Sequence, residues 1–354
     1  MAVATAKAGA ARARRKPPSK PIHGVPAAFK QLERVPALSE SRDRLLRALL
    51  ATDSSPDHVV RAIEGDIGLT IAVVRAADAA DSSYRRGIAT VPRAVEVLSP
   101  ARVERLARQI PTIDFFERVP GWEVSPETLR RHSVATQRVA EHLAADEDAE
   151  SRDEIRVAAL LHDVGKLLLG VAFPGYPQVT HGGATTPEGR VKAERATLGL
   201  DHGAVGGVLV RRWGLPDRIA DVVAHHHLPS SKGPTAIVSL ADLLVHYAHG
   251  DHVSGGEILA AARRVGLEQA RLRTLMHELP GPSERPRVTE ECPLSKAELV
   301  ALRGLSQGHT YKELAASLDR STSTIRTQLH NTYKKLGVRD RAQAVLLATE
   351  HGWL

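Results

Sequence analysis

Apolar residues recur along this chain at steps of three and four, and strand-like alternation of apolar with polar residues is rare. That period belongs to helices, so the chain reads as all-α. Aromatic residues are only 3% of the sequence, which leaves Leu, Val, Ile and Ala to build the core. A helix start is marked where Ser54 and Ser55 precede Pro56, with Val59, Val60 and Ile63 following at helical spacing. The same spacing continues through Ile71–Ala79, Pro92–Leu98 and Arg102–Ile110, the pattern of a bundle of short helices. A length of 354 residues is enough for two or three units, each with a core of its own.

Proline and glycine punctuate this pattern. Residues 1–22 lack periodicity and are rich in Ala, Arg, Lys and Pro, so a disordered tail is expected there. Pro120 and Gly121 break the helical run and separate a first helical group, 23–120, from a second, 121–279. Residues 173–189 are rich in Gly, Pro and Thr and read as a surface loop. Pro280, Pro282, Pro286 and Pro293 mark a linker over 280–292, and a last unit occupies 293–354.

Charge follows the same divisions. The formal net charge is +7. Lys7, Arg12, Arg14, Arg15, Lys16 and Lys20 crowd the tail with no acid among them, and 293–354 is also net basic. The stretch between them is slightly acidic, so a polyanionic partner would be held at the ends of the chain. Cys292 is the only cysteine, which excludes an internal disulfide and a Cys-rich zinc site and fits a reducing cytoplasm. The longest apolar run, Val157–Phe173, is interrupted by His162, Asp163 and Lys166 and does not make a membrane span. The basic start is not followed by an apolar segment, so it is not a secretory signal; a cytoplasmic protein without a membrane partner is expected.

The last unit carries the most legible local code. Thr310 and Glu313 form a capping box at the head of a short helix bearing Leu314, Ala315 and Leu318. Asp319 and Arg320 make the turn, and Ser321 or Ser323 caps the next helix. That helix sets Ile325, Leu329, Tyr333 and Leu336 on one face and Arg326, Thr327, His330, Asn331 and Lys334 on the other. A short capped helix, a tight turn and a longer helix with a basic outer face is the layout that fits the major groove of double-stranded DNA. Arg326 can pair with guanine, whereas Lys334 and Lys335 can bond only phosphates.

These segments resemble the LuxR/GerE-type helix-turn-helix over its full length. The matching stretches are Leu294–Glu298, Gly308–Ala315, Ser321–Arg326 and Lys335–Ala344. The resemblance implies a four-helix DNA-binding module in which Arg326, Thr327 and His330 read bases. It also implies a homodimer through the last helix, around Val345 and Leu346. Two positions depart from the family pattern: Ala297 replaces its usual Arg, and Gln328 its usual His.

Histidines and aspartates concentrate in the second group. His132 opens a helix, His162 and Asp163 follow the run Val157–Leu161, and Lys166 lies one turn on. His202 stands beside Asp201, the row His225, His226 and His227 ends a helix, and Asp242 sits within apolar Ile237–Val245. A carboxylate in an apolar helix needs a partner. Imidazole and carboxylate together suit a divalent transition metal such as Mn, Fe or Zn, as one or two ions. A carboxylate shared by two ions could activate water against a phosphate, with Asp163 and Lys166 as the catalytic candidates.

The order His132, His162–Asp163, Asp242 resembles the minimal motif of HD-superfamily metal phosphohydrolases, and His202, His225 and His226 resemble the extra ligands of its two-metal members. The wider stretch from Pro26 to Glu278 resembles the HDOD domain, an HD-related helical output domain of bacterial signalling proteins. The likeness rests on Asp66–Ala77, Ala158–Leu169, Trp213–Pro216 and His225–His226. Many HDOD domains have lost metal ligands; this sequence keeps the core set. Gly175, Tyr176 and Pro177 spell the tag of the HD-GYP phosphodiesterases, but before the paired histidines rather than after them, and are a chance match. The combined resemblance implies a DNA-binding transcriptional regulator whose HDOD domain senses a signalling ligand or partner protein. The alternatives are a metal-dependent phosphohydrolase or phosphodiesterase acting on a nucleotide or signalling phosphate, and a pure interaction scaffold.

Overall fold

A computed structural model describes residues 24–51, 55–80, 87–114, 124–279, 292–306, 309–338, 340–350 and 353, the side chains of 342, 346, 349 and 350 excepted. The basic tail, Pro120–Gly121, nearly all of the proline-rich linker and the Leu346 side chain lie outside the described residues.

The first group is α1 (Val25–Gln31), α2 (Ser39–Leu50), α3 (Pro56–Glu64), α4 (Ile67–Asp78), α5 (Val91–Val97) and α6 (Pro100–Gln109). Proline in the first turn starts α3, α5 and α6, where its missing N–H costs nothing. One feature departs from the all-α expectation. Two-residue strands β1 (Ala37–Leu38) and β2 (Thr112–Ile113) pair in parallel, Ala37 opposite Thr112. Buried Asp66 anchors this pair: its carboxylate caps α4 by accepting from the Leu69 N–H at 3.1 Å and also accepts from the Leu38 N–H at 3.0 Å. So short a pairing between distant segments leaves no periodic trace in the sequence.

The second group holds α7 (Pro126–Leu143), α8 (Ala149–Leu161), α9 (Gly165–Ala172), α10 (Gln178–His181), α11 (Pro187–Leu198) and α12 (His202–Arg212). It continues with α13 (Asp217–His225), α14 (Gly233–Ala248), α15 (Gly255–Arg264) and α16 (Gln269–Glu278). Helix α7 packs on α8 and α14, while α12 packs on α9 and α13. A single apolar core runs from Ala28 to Leu272, so the two groups share one interior. Residues 173–189 are not only a loop. They contain α10 and the start of α11, and Tyr176 is fully buried because its hydroxyl donates to Glu194.

The third group is α17 (Lys296–Ser306), α18 (Tyr311–Ser317), α19 (Thr322–Leu336) and α20 (Arg341–Glu350). Its core is Leu302, Leu305, Leu314, Ile325, Leu329 and Ala344 with their neighbours, and it shares no residue with the larger core. Val345, implied above as a dimer contact, is buried in this core, which takes it out of a free dimer surface. Among the described residues no helix is long and apolar enough to cross a membrane.

Candidate metal centre and nucleic-acid interface

Five segments converge on the histidines and aspartates of the second group: α7, the α8–α9 corner, the head of α12, the end of α13 and α14. Helix α7 begins at Pro126 with Ser125 as its cap, so His132 stands well inside it rather than at its start. His162 and Asp163 form the corner between α8 and α9, held inside by the apolar run on both sides. Gly165 brings α12 close: a Cβ there would lie 1.8 Å from the carbonyl oxygen of His202. Only glycine lets the first turn of α12 approach, and this approach sets His202 beside Asp163.

The carboxylate of Asp163 faces both ways. Its Oδ2 lies 3.5 Å from Nε2 of His132 and 3.5 Å from Nε2 of His162. Its Oδ1 lies 3.1 Å from Nε2 of His202. On the first side, Asp242 Oδ1 is 2.9 Å from His132 Nε2, 3.4 Å from His162 Nε2 and 3.3 Å from His246 Nε2. On the second side, His226 and His227 close the ring, with Nε2 of His227 2.9 Å from Nε2 of His202. Asp163, His202, His226 and His227 have ligand atoms within 4.8 Å of one another, as do His132, His162 and Asp163, and as do His132, Asp242 and His246. A fourth set, His162, His226 and Asp242, spans both sides, so these are two half-sites that adjoin at Asp163.

The outer ring nitrogens fix which atoms face inward. Nδ1 of His162 donates to the Ala159 carbonyl and Nδ1 of His226 to the Val223 carbonyl, each at 2.7 Å. Both rings therefore turn Nε2 into the cluster, where neither makes a hydrogen bond despite full burial. Buried polar atoms without partners are costly, and a backbone carbonyl behind Nδ1 is the usual support of a metal-bound imidazole. Nδ1 of His202 meets Glu194 at 2.7 Å, and Nδ1 of His246 meets Asp251 at 2.6 Å. The donor set thus fits a divalent cation at either half-site.

Burial pushes His132 down to about 4 and His226 down to about 3, so both rings are neutral, whereas the burial of His162 is outweighed by Asp163 and Asp242, which raise it. Burial opposes the charge on Asp163, but Lys166, His162 and His202 outweigh it and hold the carboxyl well below its usual range. Lys166 pairs directly with Asp163. Burial likewise opposes a charged His202, yet Glu194 raises it to about 9.

The C-terminal group presents a different surface. The capping box is formed: Thr310 accepts from the Glu313 N–H at 3.2 Å, and Glu313 accepts from the Thr310 N–H at 2.8 Å. Asp319 takes a left-handed turn conformation at φ 49°, and Ser321, not Ser323, caps α19 by accepting from the Thr324 N–H at 3.0 Å. Ser323 stays exposed, its hydroxyl 2.7 Å from that of Ser321. Ile325, Leu329 and Thr332 are buried, whereas Tyr333 and Leu336 are half-buried. Arg326, Thr327, His330, Asn331 and Lys334 are all exposed on the outer face. Lys335 is not a free cation: its Nζ bonds Glu298 Oε2 at 2.8 Å and ties α19 to the head of α17. An open groove of about 550 Å³ runs between α17 and α19, lined by Ala297, Thr327, Gln328 and Asn331 among others.

The family model of the HDOD domain matches residues 35–229. The chain belongs to the HDOD family. A second model, bacterial regulatory proteins of the luxR family, matches 292–348. The response regulator RamR of Streptomyces coelicolor is 36% identical over 63 residues, which are 18% of this chain and 31% of RamR. The chain therefore spans about a third of that relative's length. Among solved structures, the MmoQ response regulator of Methylococcus capsulatus is 21% identical with a TM-score of 0.55, covering 70% of this chain and 99% of that one. A virulence factor of Campylobacter jejuni is 16% identical with a TM-score of 0.53, covering 72% and 95%. At these identities the two structures share the HDOD fold.

In the second group, six of the seven histidines and aspartates singled out in the sequence come together: His132, His162, Asp163, His202, His226 and Asp242. His225 does not. It is exposed, with Nδ1 bonded to the Asp221 carbonyl at 2.9 Å, because α13 ends there and the chain turns its two successors inward. His227 takes the place expected of His225. His246 was also missed, although its spacing of four from Asp242 puts both on one helix face. Glu194 and Asp251 carry no local signal, since each is defined only by the histidine it supports.

Proposed function

We propose that this HDOD protein regulates transcription by binding DNA through α19, under the control of a metal-containing HDOD domain. The observation that carries the DNA reading is the outer face of α19. Arg326, Thr327, His330 and Lys334 are exposed together on a helix whose other face is locked into a core. Arg326, Thr327 and His330 meet base edges, while Lys334 and the helix start at Ser321 and Ser323 meet phosphates. Binding of the full chain to double-stranded promoter DNA, measured by fluorescence anisotropy against random duplex, tests this. Equal affinity for both, in wild type and in Arg326→Ala alike, would remove the base-reading role.

The metal reading rests on the Nε2 atoms of His162 and His226, buried without a hydrogen bond. One ion would be held by His132, His162, Asp163 and Asp242, with His246 beside Asp242 as a further donor, and a second by Asp163, His202, His226 and His227. Nitrogen and carboxylate donors of this kind suit Mn, Fe or Zn. A bound ion would supply positive charge at the centre of the bundle and hold three of its segments to one point. His162, Asp163, His226 and Asp242 are at most 2% exposed, which favours a structural or signal-sensing ion over one that turns over a bulky phosphate ester. Elemental analysis of purified protein should find metal in the wild type and a loss in Asp163→Ala. A metal-free wild type would sink the reading, and phosphodiester turnover by the loaded protein would move it to a hydrolase.

A further inference from the structure

Helix α11 is attached to the domain in an unusual way. It supplies no member of the large core, although Pro187 and Val191 are buried; Leu198, at its end, packs partly against that core. Its firm links are polar, and they lead to the two half-sites. Glu194 is wholly buried, and its Oε2 meets both Nδ1 and the backbone N–H of His202, at 2.7 and 2.9 Å. Its Oε1 accepts from the Tyr176 hydroxyl and lies against His181 Nε2, each at 2.9 Å. One turn earlier on the same face, Arg190 grips both oxygens of Asp251, and Asp251 holds Nδ1 of His246. Arg195 bonds Asp201, whose other oxygen caps the helix that begins with His202. One helix face thus reaches the outer nitrogens of His202 in one half-site and of His246 in the other.

We infer that α11 is an outer strut for both half-sites: Glu194 positions His202, Arg190 positions His246 through Asp251, and the seating of α11 is coupled to metal occupancy. This rests on the metal reading proposed above. A carboxylate behind a ligating imidazole fixes its tautomer and orientation, and removing such support commonly costs 10–100-fold in metal affinity. Coupling is reciprocal: if a seated α11 raises metal affinity, bound metal must favour the seated α11 by the same factor. Because no residue of the helix joins the large core, that factor falls largely on its polar links, beside the buried Pro187 and Val191. Metal occupancy inside the bundle is then reported at the exposed side of α11, where Lys192, Arg195, Ala196 and Thr197 lie.

The test uses the full chain with Mn2+ and, in parallel, Zn2+. Isothermal titration gives affinity and stoichiometry for wild type, Glu194→Gln and Arg190→Ala. Hydrogen–deuterium exchange follows the 187–198 amides with metal and with chelator. The expected result is a 10–100-fold loss of affinity in each variant, and exchange across α11 at least about tenfold slower in metal-loaded wild type. Arg190 is only half-buried, so its variant serves if Glu194→Gln does not fold, as judged by circular dichroism. Tight binding by wild type with unchanged affinity in the folded variants, or with unchanged α11 exchange, overturns the strut and leaves the metal centre standing. A wild type that binds neither metal ends both.

Discussion

Arg326 follows Ile325, which is fully buried, so the helix turn that locks the one turns the other out to solvent. A guanidinium so placed can pair bidentately with guanine. Arg326→Ala should cost about 1–3 kcal/mol on the preferred site and relax the preference at one base pair. Lys334→Ala should instead weaken all duplexes alike and reduce the salt slope of binding by about one. Anisotropy titrations over a range of salt separate the two, and a uniform loss from both would contradict the division. A second residue has a legible pH signature. Glu64 is buried against Arg156 with Oε1 unpartnered, and burial, which outweighs the arginine, raises its carboxyl to about 7. An unfolded glutamate titrates near 4.5, so between those values the folded state holds the proton more tightly. Wild type should therefore lose stability relative to Glu64→Gln as pH rises from 4.5 to 7, and the gap should then stay constant. Paired denaturant melts at pH 5 and 7.5 measure this; a pH-independent difference would refute it. The same scale shows where the sequence was mute. In the row His225, His226 and His227 all three residues have the same chemistry, and only the end point of α13 decides which two turn inward.

At the level of elements, the caps were readable because they are local. Thr310 and Glu313 are three apart, and the box they form depends on nothing else in the molecule. Thr310→Ala should destabilise the C-terminal unit by about 1 kcal/mol, read from its melting transition. The ion pair of Lys335 with Glu298 spans 37 residues and could not be read that way. It ties α17 to α19 through a residue also expected on phosphate. Lys335 is about half exposed, so Lys335→Ala should cost no more than about 1 kcal/mol of stability. Unlike Lys334→Ala, it should leave the salt slope of DNA binding intact; a slope reduced by about one would return Lys335 to the phosphate contacts. The pairing of β1 with β2 and the burial of Tyr176 share this non-local origin. Asp66 in the one case, and Glu194 in the other, supplies the partner from a distant part of the chain.

For the whole molecule, the decisive fact is that the two apolar cores have no residue in common. Cooperativity of unfolding comes from shared burial, so two cores imply two transitions. The larger core contains the flanks of the candidate metal ligands, such as Val157–Leu161 before His162 and Ile237–Val245 around Asp242. A ligand that binds only the native state stabilises the unit it binds by RT ln(1 + [L]/Kd), about 2.7 kcal/mol at a hundredfold excess over Kd. Calorimetry of the full chain should therefore show two transitions. Mn2+ or Zn2+ should raise only the one belonging to 24–279, and duplex DNA only the one belonging to 292–353. A chelator should reverse the first shift without touching the second. Single-transition melting, or a DNA-induced shift in both, would mean that the two units unfold as one and that the HDOD domain acts on α19 through direct packing rather than through a tether.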